Sequence, residues 1–168
     1  MYLLKNLSPE TRNLKPQKGF TFIELLVVIA VIGILYAIVI GSINNSKAKG
    51  RDIKRIGDIS VIQLALERYY DENSSYPTSL SAFSTDSSVP ANDPQGNNYL
   101  YVAATDSGLV KSCVTSPTDC QYYHLGATLE LYNSVLADDA DKNSAPIGGF
   151  NGRDDIAGPF VYDVVPKF

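Results

Sequence analysis

The feature that most constrains this chain is an apolar run from Phe20 to Ile43 that carries a single charge, Glu24. Lys18-Gly19 precedes it, and Lys47, Lys49, Arg51, Lys54 and Arg55 follow it closely. The run is about as long as the ~20 residues a helix needs to cross a bilayer, which makes it a candidate membrane span. A secretory signal peptide also sets basic residues before an apolar segment, but its apolar part covers only about 7–15 residues and ends at a cleavage site. Gly41-Ser42-Ile43-Asn44 imitates such a site weakly. An acid within a span costs about 2.5–3.5 kcal/mol at the helix centre and less near one end. Glu24 therefore either snorkels to the interface or has a partner, and charge and position leave both readings open.

The residues Gly19-Phe20-Thr21-Phe22-Ile23-Glu24, continued by Leu25-Leu26-Val27-Val28-Ile29-Ala30-Val31-Ile32-Gly33-Ile34-Leu35, resemble the class III signal and N-terminal helix of type IV pilins and type II secretion pseudopilins. The resemblance implies that a prepilin peptidase cuts between Gly19 and Phe20 on the cytoplasmic face and N-methylates Phe20. Residues 1–19 are then a discarded leader, outside any fold reasoning. It also gives Glu24 a partner, the methylated amine of Phe20 on a neighbouring subunit, because opposite charges are far less costly buried together than either is alone. The partners implied are a homo-oligomeric filament, related minor pilins and an inner-membrane assembly platform. The chain is expected to be a single-pass inner-membrane (cytoplasmic-membrane) protein before assembly, then part of an extracellular filament or a periplasmic pseudopilus. Basic residues flank the run on both sides, so charge does not orient it and the resemblance does. The basic group after the run either meets anionic headgroups or forms a solvated helix face paired in part with Asp52 and Asp58. Many type IV pilins carry a proline where this chain has Gly41; the local weakness remains, and residues Gly41 to Asn45 are expected to unwind in an assembled filament.

Helical spacing continues past the run. Ile56, Ile59, Ile62, Leu66 and Tyr69 recur at three- and four-residue steps, with Lys54, Arg55, Asp58, Glu67 and Arg68 at polar positions. The breakers Asn73-Ser74-Ser75-Tyr76-Pro77 end the pattern, and Tyr76-Pro77 also resembles a pseudopilin helix-to-loop junction. Beyond it the text is rich in Ser, Thr, Asn, Asp, Gly, Pro and Tyr, with candidate strands at Tyr99–Ala103, Gln121–Leu131 and Phe160–Val165. A short helix within Leu125–Leu136 is the alternative for part of the second strand. The expected fold is α+β, a long N-terminal helix whose second half packs on a small antiparallel sheet. The expected organisation is a leader over 1–19, a membrane and filament-core helix over 20–43, its amphipathic continuation over 44–73 and a globular head over 74–168.

Cys113 and Cys120, outside the cytoplasm and a short loop apart, read as a disulfide, with free thiols as the alternative. The acidic segment Asp138-Asp139-Ala140-Asp141-Lys142-Asn143 offers oxygen ligands to a hard cation such as calcium, and Asp154 and Asp155 complete a site if the fold joins the two loops. It is not an EF-hand, since Ser144 stands at the turn glycine and Phe150 at the closing Glu. A solvated acidic loop is the competing reading. No cofactor is required by any motif: the chain has no Gly-x-Ser-x-Gly, His-Glu-x-x-His or P-loop, and its one histidine, His124, reads as a half-buried strand residue. Acids outnumber Lys111, Lys142, Arg153 and Lys167 after Asn73, which argues against direct nucleic-acid binding. Three functions fit. The first is a pilin for adhesion, motility or DNA uptake, and the second a pseudopilin in a secretion piston. The third, from another class, is a single-pass anchored binding or enzymatic domain that does not polymerise.

Overall fold

The computed structural model describes residues 19–113, 119–154 and 159–166. The chain divides into two compact units, one through Gly41 and one from Ser42. The long helix, α1, spans Phe22–Asn73. Its start is set locally: Thr21 Oγ1 accepts the Glu24 amide and Glu24 Oε2 accepts the Thr21 amide, both at 3.3 Å. This is the reciprocal pair of a capping box, and it places the first turn two residues beyond the expected Phe20. Its end is equally local. Ser74 adopts a left-handed φ of 56° while its amide still bonds the Tyr70 carbonyl at 2.7 Å, and Tyr76-Pro77 cannot continue a helix. Residues 41–45 are helical in this single subunit.

From Ser42 onward, three strands form one antiparallel sheet in the order β1-β2-β3, with β1 at Leu100–Ala104, β2 at Tyr122–Leu129 and β3 at Phe160–Val164. Leu100 pairs with Gly126 and Ala104 with Tyr122; Leu125 pairs with Val164 and Leu129 with Phe160. The start of β3 falls where expected, and the other strand ends differ from the expected ones by one or two residues. The helical alternative after Leu125 is overruled as far as Leu129; a 3-10 helix follows at Ser134–Asp138, capped by the Asn133 side chain on the Val135 amide. The fold is α+β. Ile59, Ile62, Ala65 and Leu66 on α1 pack against Ala103, Tyr123, Leu125 and Ala127 of the sheet and Tyr99 just before β1. Full burial of each large aliphatic side chain contributes roughly 1.5–3 kcal/mol.

The tyrosines do more than cover the sheet. Tyr76 and Tyr123 lie edge to face at 4.7 Å, and both hydroxyls donate to the Glu67 carboxylate at 2.8 and 3.0 Å. Tyr99 donates to Asp58 at 2.6 Å. Burial first, then the facing carboxylate, pushes the Tyr76 and Tyr99 hydroxyls well up, so both stay protonated donors. Cys113 and Cys120 are joined by a disulfide with Cα atoms 5.4 Å apart, and the Cys120 carbonyl accepts the Tyr76 amide at 2.8 Å, tying the bridge to the helix exit.

In the basic group after the apolar run Lys47, Lys49 and Lys54 are exposed, and Lys54 and Arg55 pair with Asp58 and Asp52 as the solvated-face reading expects, but Arg55 departs from that reading because it is buried. The Arg55 side chain is 3% exposed and ion-paired to Asp52 at 2.7 Å, Asp93 at 2.8 Å and Glu130 at 2.8 Å. Arg51 also pairs with Glu130, and Lys54 with Asp58 at 2.9 Å. Asp52 further accepts the Glu130 and Leu131 amides at 3.0 Å, fastening the end of β2 to α1. The reason is distance in sequence: the decisive partners of Arg55 lie 38 and 75 residues downstream.

Candidate functional site

Two places carry residues singled out from the sequence. The first is the helix start. Gly19 and Phe20 precede α1 without regular structure, Phe20 is 92% exposed, and Glu24 closes the cap with Thr21. Behind them every large apolar side chain from Phe22 to Ile40 is exposed, over a stretch long and apolar enough to cross a membrane. The Thr-x-x-Glu spacing is a capping-box signal that the sequence analysis passed over, and it gives Glu24 a role within its own chain besides the one implied by the resemblance.

The second is the loop between the Ser134–Asp138 turn and β3. A short two-stranded closure shapes it: the Gly152 amide donates to the Lys142 carbonyl at 2.7 Å, Asn143 bridges Asn151, and the Ser144 amide donates to the Phe150 carbonyl at 2.8 Å. These rungs carry Asp154 back alongside Asp141. Carboxylate oxygens of Asp139, Asp141 and Asp154 come within 4.8 Å of one another. Asp138 is exposed at the end of its 3-10 helix and stays outside this group. Asn143 uses its side-chain oxygen to accept the Ala145 amide at 3.1 Å, and Asp155 lies outside the described residues.

The electrostatics of the three acids are unfavourable as they stand. Among the described residues no lysine or arginine pairs with any of them. Asp139 Oδ1 is buried with no hydrogen-bond partner. Desolvation, then repulsion from Asp163, pushes the Asp139 carboxyl up to about 7, and burial raises Asp154. An orphaned buried oxygen amid three convergent carboxylates is a donor set for a hard cation such as calcium, which takes oxygen ligands only.

Beneath the loop lies a buried polar network that the sequence reading missed. His124 on β2 is fully buried, not half-buried; its Nε2 meets Asp163 Oδ2 at 2.6 Å and its Nδ1 meets Ser144 Oγ at 2.7 Å. Phe150 stacks on the imidazole at 3.8 Å, in the space left by Gly126, where a Cβ would come within 2.8 Å of the Phe150 ring. The chain of hydroxyl, imidazole and carboxylate resembles a hydrolytic triad, but Ser144 is wholly buried and its Oγ also accepts the Phe150 amide at 3.1 Å. No substrate could reach that oxygen. A groove of about 700 Å³ between the Leu80–Phe83 turn and β1 offers no base either; its carboxylate, Asp86, is bound by Ser88 and Arg68 and held at about 2.

Comparison with known proteins agrees with the first place. A family model described as the prokaryotic N-terminal methylation motif matches residues 14–40. Type II secretion system core protein G of Klebsiella michiganensis is 33% identical over 112 residues, covering 56% of this chain and 79% of that protein. The protein of the same name from Vibrio cholerae is 29% identical over 116 residues, 59% of this chain and 80% of its own length. That of Aeromonas hydrophila is 28% identical over 142 residues, 82% and 95%. No solved structure matches the chain. A prepilin-type N-terminus on an α+β head defines a class of filament subunit. The chain belongs to the type IV pilin and type II secretion pseudopilin family.

Proposed function

We propose that the chain is a major pseudopilin, the repeating subunit of a type II secretion filament. The observation that carries this reading is the wholly unburied apolar surface of α1 from Phe22 to Ile40, which demands lipid before assembly and other subunits after it. The names of the relatives favour secretion over the adhesion, motility or DNA uptake that the sequence reading placed first. In this reading a prepilin peptidase cuts between Gly19 and Phe20 and methylates Phe20. The chain waits in the cytoplasmic membrane, and an assembly platform then adds it to a filament of its own copies and minor pilins. Glu24 meets the Phe20 amine of a neighbour and fixes register. Asp139, Asp141 and Asp154 would hold a divalent cation, calcium for preference. Its charge would neutralise three facing carboxylates and satisfy the orphaned Asp139 oxygen.

Mass spectrometry of native cells tests the reading. A peptide beginning with N-methylated Phe20, recovered from the envelope and cross-linked there into multimers, is expected. In Glu24→Ala the same processed peptide should persist while multimers fall at least tenfold. Recovery mainly in filaments sheared from the cell surface would reassign the chain to a surface pilin, and an intact Met1 leader would remove the polymer reading.

A further inference from the structure

The Asp139, Asp141 and Asp154 oxygens lie close together although among the described residues no lysine or arginine pairs with them. Asp154 is held by the Val161 amide, which donates to its Oδ1 at 3.0 Å, and by its own amide, which donates to Asp141 Oδ1 at 3.4 Å; the arm bearing Asp139 and Asp141 is held by one buried residue. Asp163 Oδ1 accepts the Asp141 amide at 2.9 Å and Oδ2 the Lys142 amide at 3.0 Å. The Asp163 carbonyl accepts the Ala140 amide at 3.1 Å, and its own amide donates to Asp139 Oδ2 at 3.3 Å. Residues 139–142 are thus wrapped around the inward-facing side chain and main chain of a single β3 position.

Asp163 is in turn fixed from the other side. With a carboxylate as its partner, His124 Nε2 carries a hydrogen and donates it to Asp163, while Nδ1 meets the Ser144 hydroxyl, which also lies within hydrogen-bond reach of the Phe150 carbonyl at 3.2 Å. Ser144 closes the innermost rung of the same loop, and Phe150, from that rung, stacks on the imidazole. The imidazole therefore joins both arms of the loop: the arm bearing Asp139 and Asp141 through Asp163, and the turn leading to Asp154 through Ser144 and Phe150. Asp141 itself sits at a left-handed φ of 49°, a conformation a non-glycine residue keeps only when its surroundings enforce it.

We propose that His124 is a positioning residue for the cation site, acting through Asp163 and Ser144 to hold the Asp139, Asp141 and Asp154 carboxylates in place before any cation arrives. The proposal rests on the cation reading above. His124 touches none of the three carboxylates. Its effect is preorganisation, as with the outer-shell partners of metal ligands, whose loss typically weakens metal binding 10–100-fold.

The test is calcium chloride titrated calorimetrically into the full chain in detergent micelles. His124→Leu removes both hydrogen bonds at similar volume, and His124→Gln keeps one donor; Asp141→Asn removes a ligand, and Leu66→Ala destabilises the head away from the loop. His124→Leu is expected to weaken calcium 10–100-fold, with His124→Gln recovering part of the loss and Leu66→Ala binding like the wild type. Should His124→Leu fail to fold, His124→Gln decides, with at least threefold weakening expected. Wild-type affinity in the folded His124 variants, alongside a loss in Asp141→Asn, would overturn the positioning role and leave the cation reading intact. A wild type that takes up no calcium would overturn both.

Discussion

A methyl group added at Gly152 would overlap the Asp163 carboxylate and come within 2.9 Å of the Lys142 carbonyl. The second of those neighbours is backbone, held in the rung that closes the loop, so it cannot swing aside as a long side chain would. Gly152→Ala is therefore expected to destabilise the head by about 1–3 kcal/mol, the usual range for overpacking, as read by urea denaturation of the full chain in detergent. An unchanged midpoint would show that the loop does not close on Asp163. In the sequence, Gly152 is one of 12 glycines and reads only as a turn signal. Asp163 gave no signal at all: it stands in Phe160–Val164 at an inward strand position, and the His124 that makes such burial tolerable is 39 residues away. The candidate acids fared better because they cluster along the chain. Which of them converge depended on the rungs from Lys142 to Gly152, which periodicity does not reveal.

The glycines within α1 behave in the opposite way. A Cβ placed at Gly50 or Gly57 meets nothing within 4 Å. Both positions are exposed on the helix, beside Ile53 and Leu64, which are 58% and 73% exposed. Glycine in a helix interior costs roughly 0.5–1 kcal/mol relative to alanine, so Gly50→Ala and Gly57→Ala should each raise the stability of the isolated subunit by about that much. The check is again the urea midpoint, and a fall would mean that the helix face is occupied within the subunit. At this scale the sequence was most readable. Three- and four-residue spacing located Ile59, Ile62 and Leu66 on the buried stripe, and alternation with turn residues located all three strands to within two residues. The capping box explains the shifted helix start. The burial of Arg55 and Asp58, placed among the polar positions by spacing, was not legible, because their partners Asp93, Tyr99 and Glu130 come from loops and strands far along the chain.

At the scale of the whole head, those distant partners decide how α1 stays on the sheet. Arg55 faces Asp52, Asp93 and Glu130, while Asp52 also receives two amides from the end of β2. Breaking a buried pair from one side leaves an uncompensated charge and typically costs about 3–5 kcal/mol, far more than the net worth of an exposed pair. Arg55→Met, which keeps most of the packing volume, should destabilise the head by that amount near pH 7. Acid should narrow the gap between the two proteins. Burial alone would raise the Asp93 carboxyl, but Arg55 and the Asn97 and Gln95 amides outweigh it and hold it at about 2, against an ordinary 3.8. Hydrogen bonding to Arg51 first, then Arg55, outweighs burial to hold Glu130 at about 2, against 4.5. Folded values below the unfolded ones mean a contribution that is complete above about pH 4.5 and lost as pH falls toward 2. In Arg55→Met the burial at Asp93 remains while the cation is gone and only the Asn97 and Gln95 hydrogen bonds still hold it down, so its folded value rises and less of that contribution is left to lose. Unfolding free energy should then fall in the wild type as pH drops from about 4.5 toward 2, and fall less steeply in the variant, where Arg51 still holds Glu130 low. Urea titrations of both proteins at matched pH values check this, and parallel curves would mean that the arginine is a bystander to carboxylates already satisfied by backbone amides.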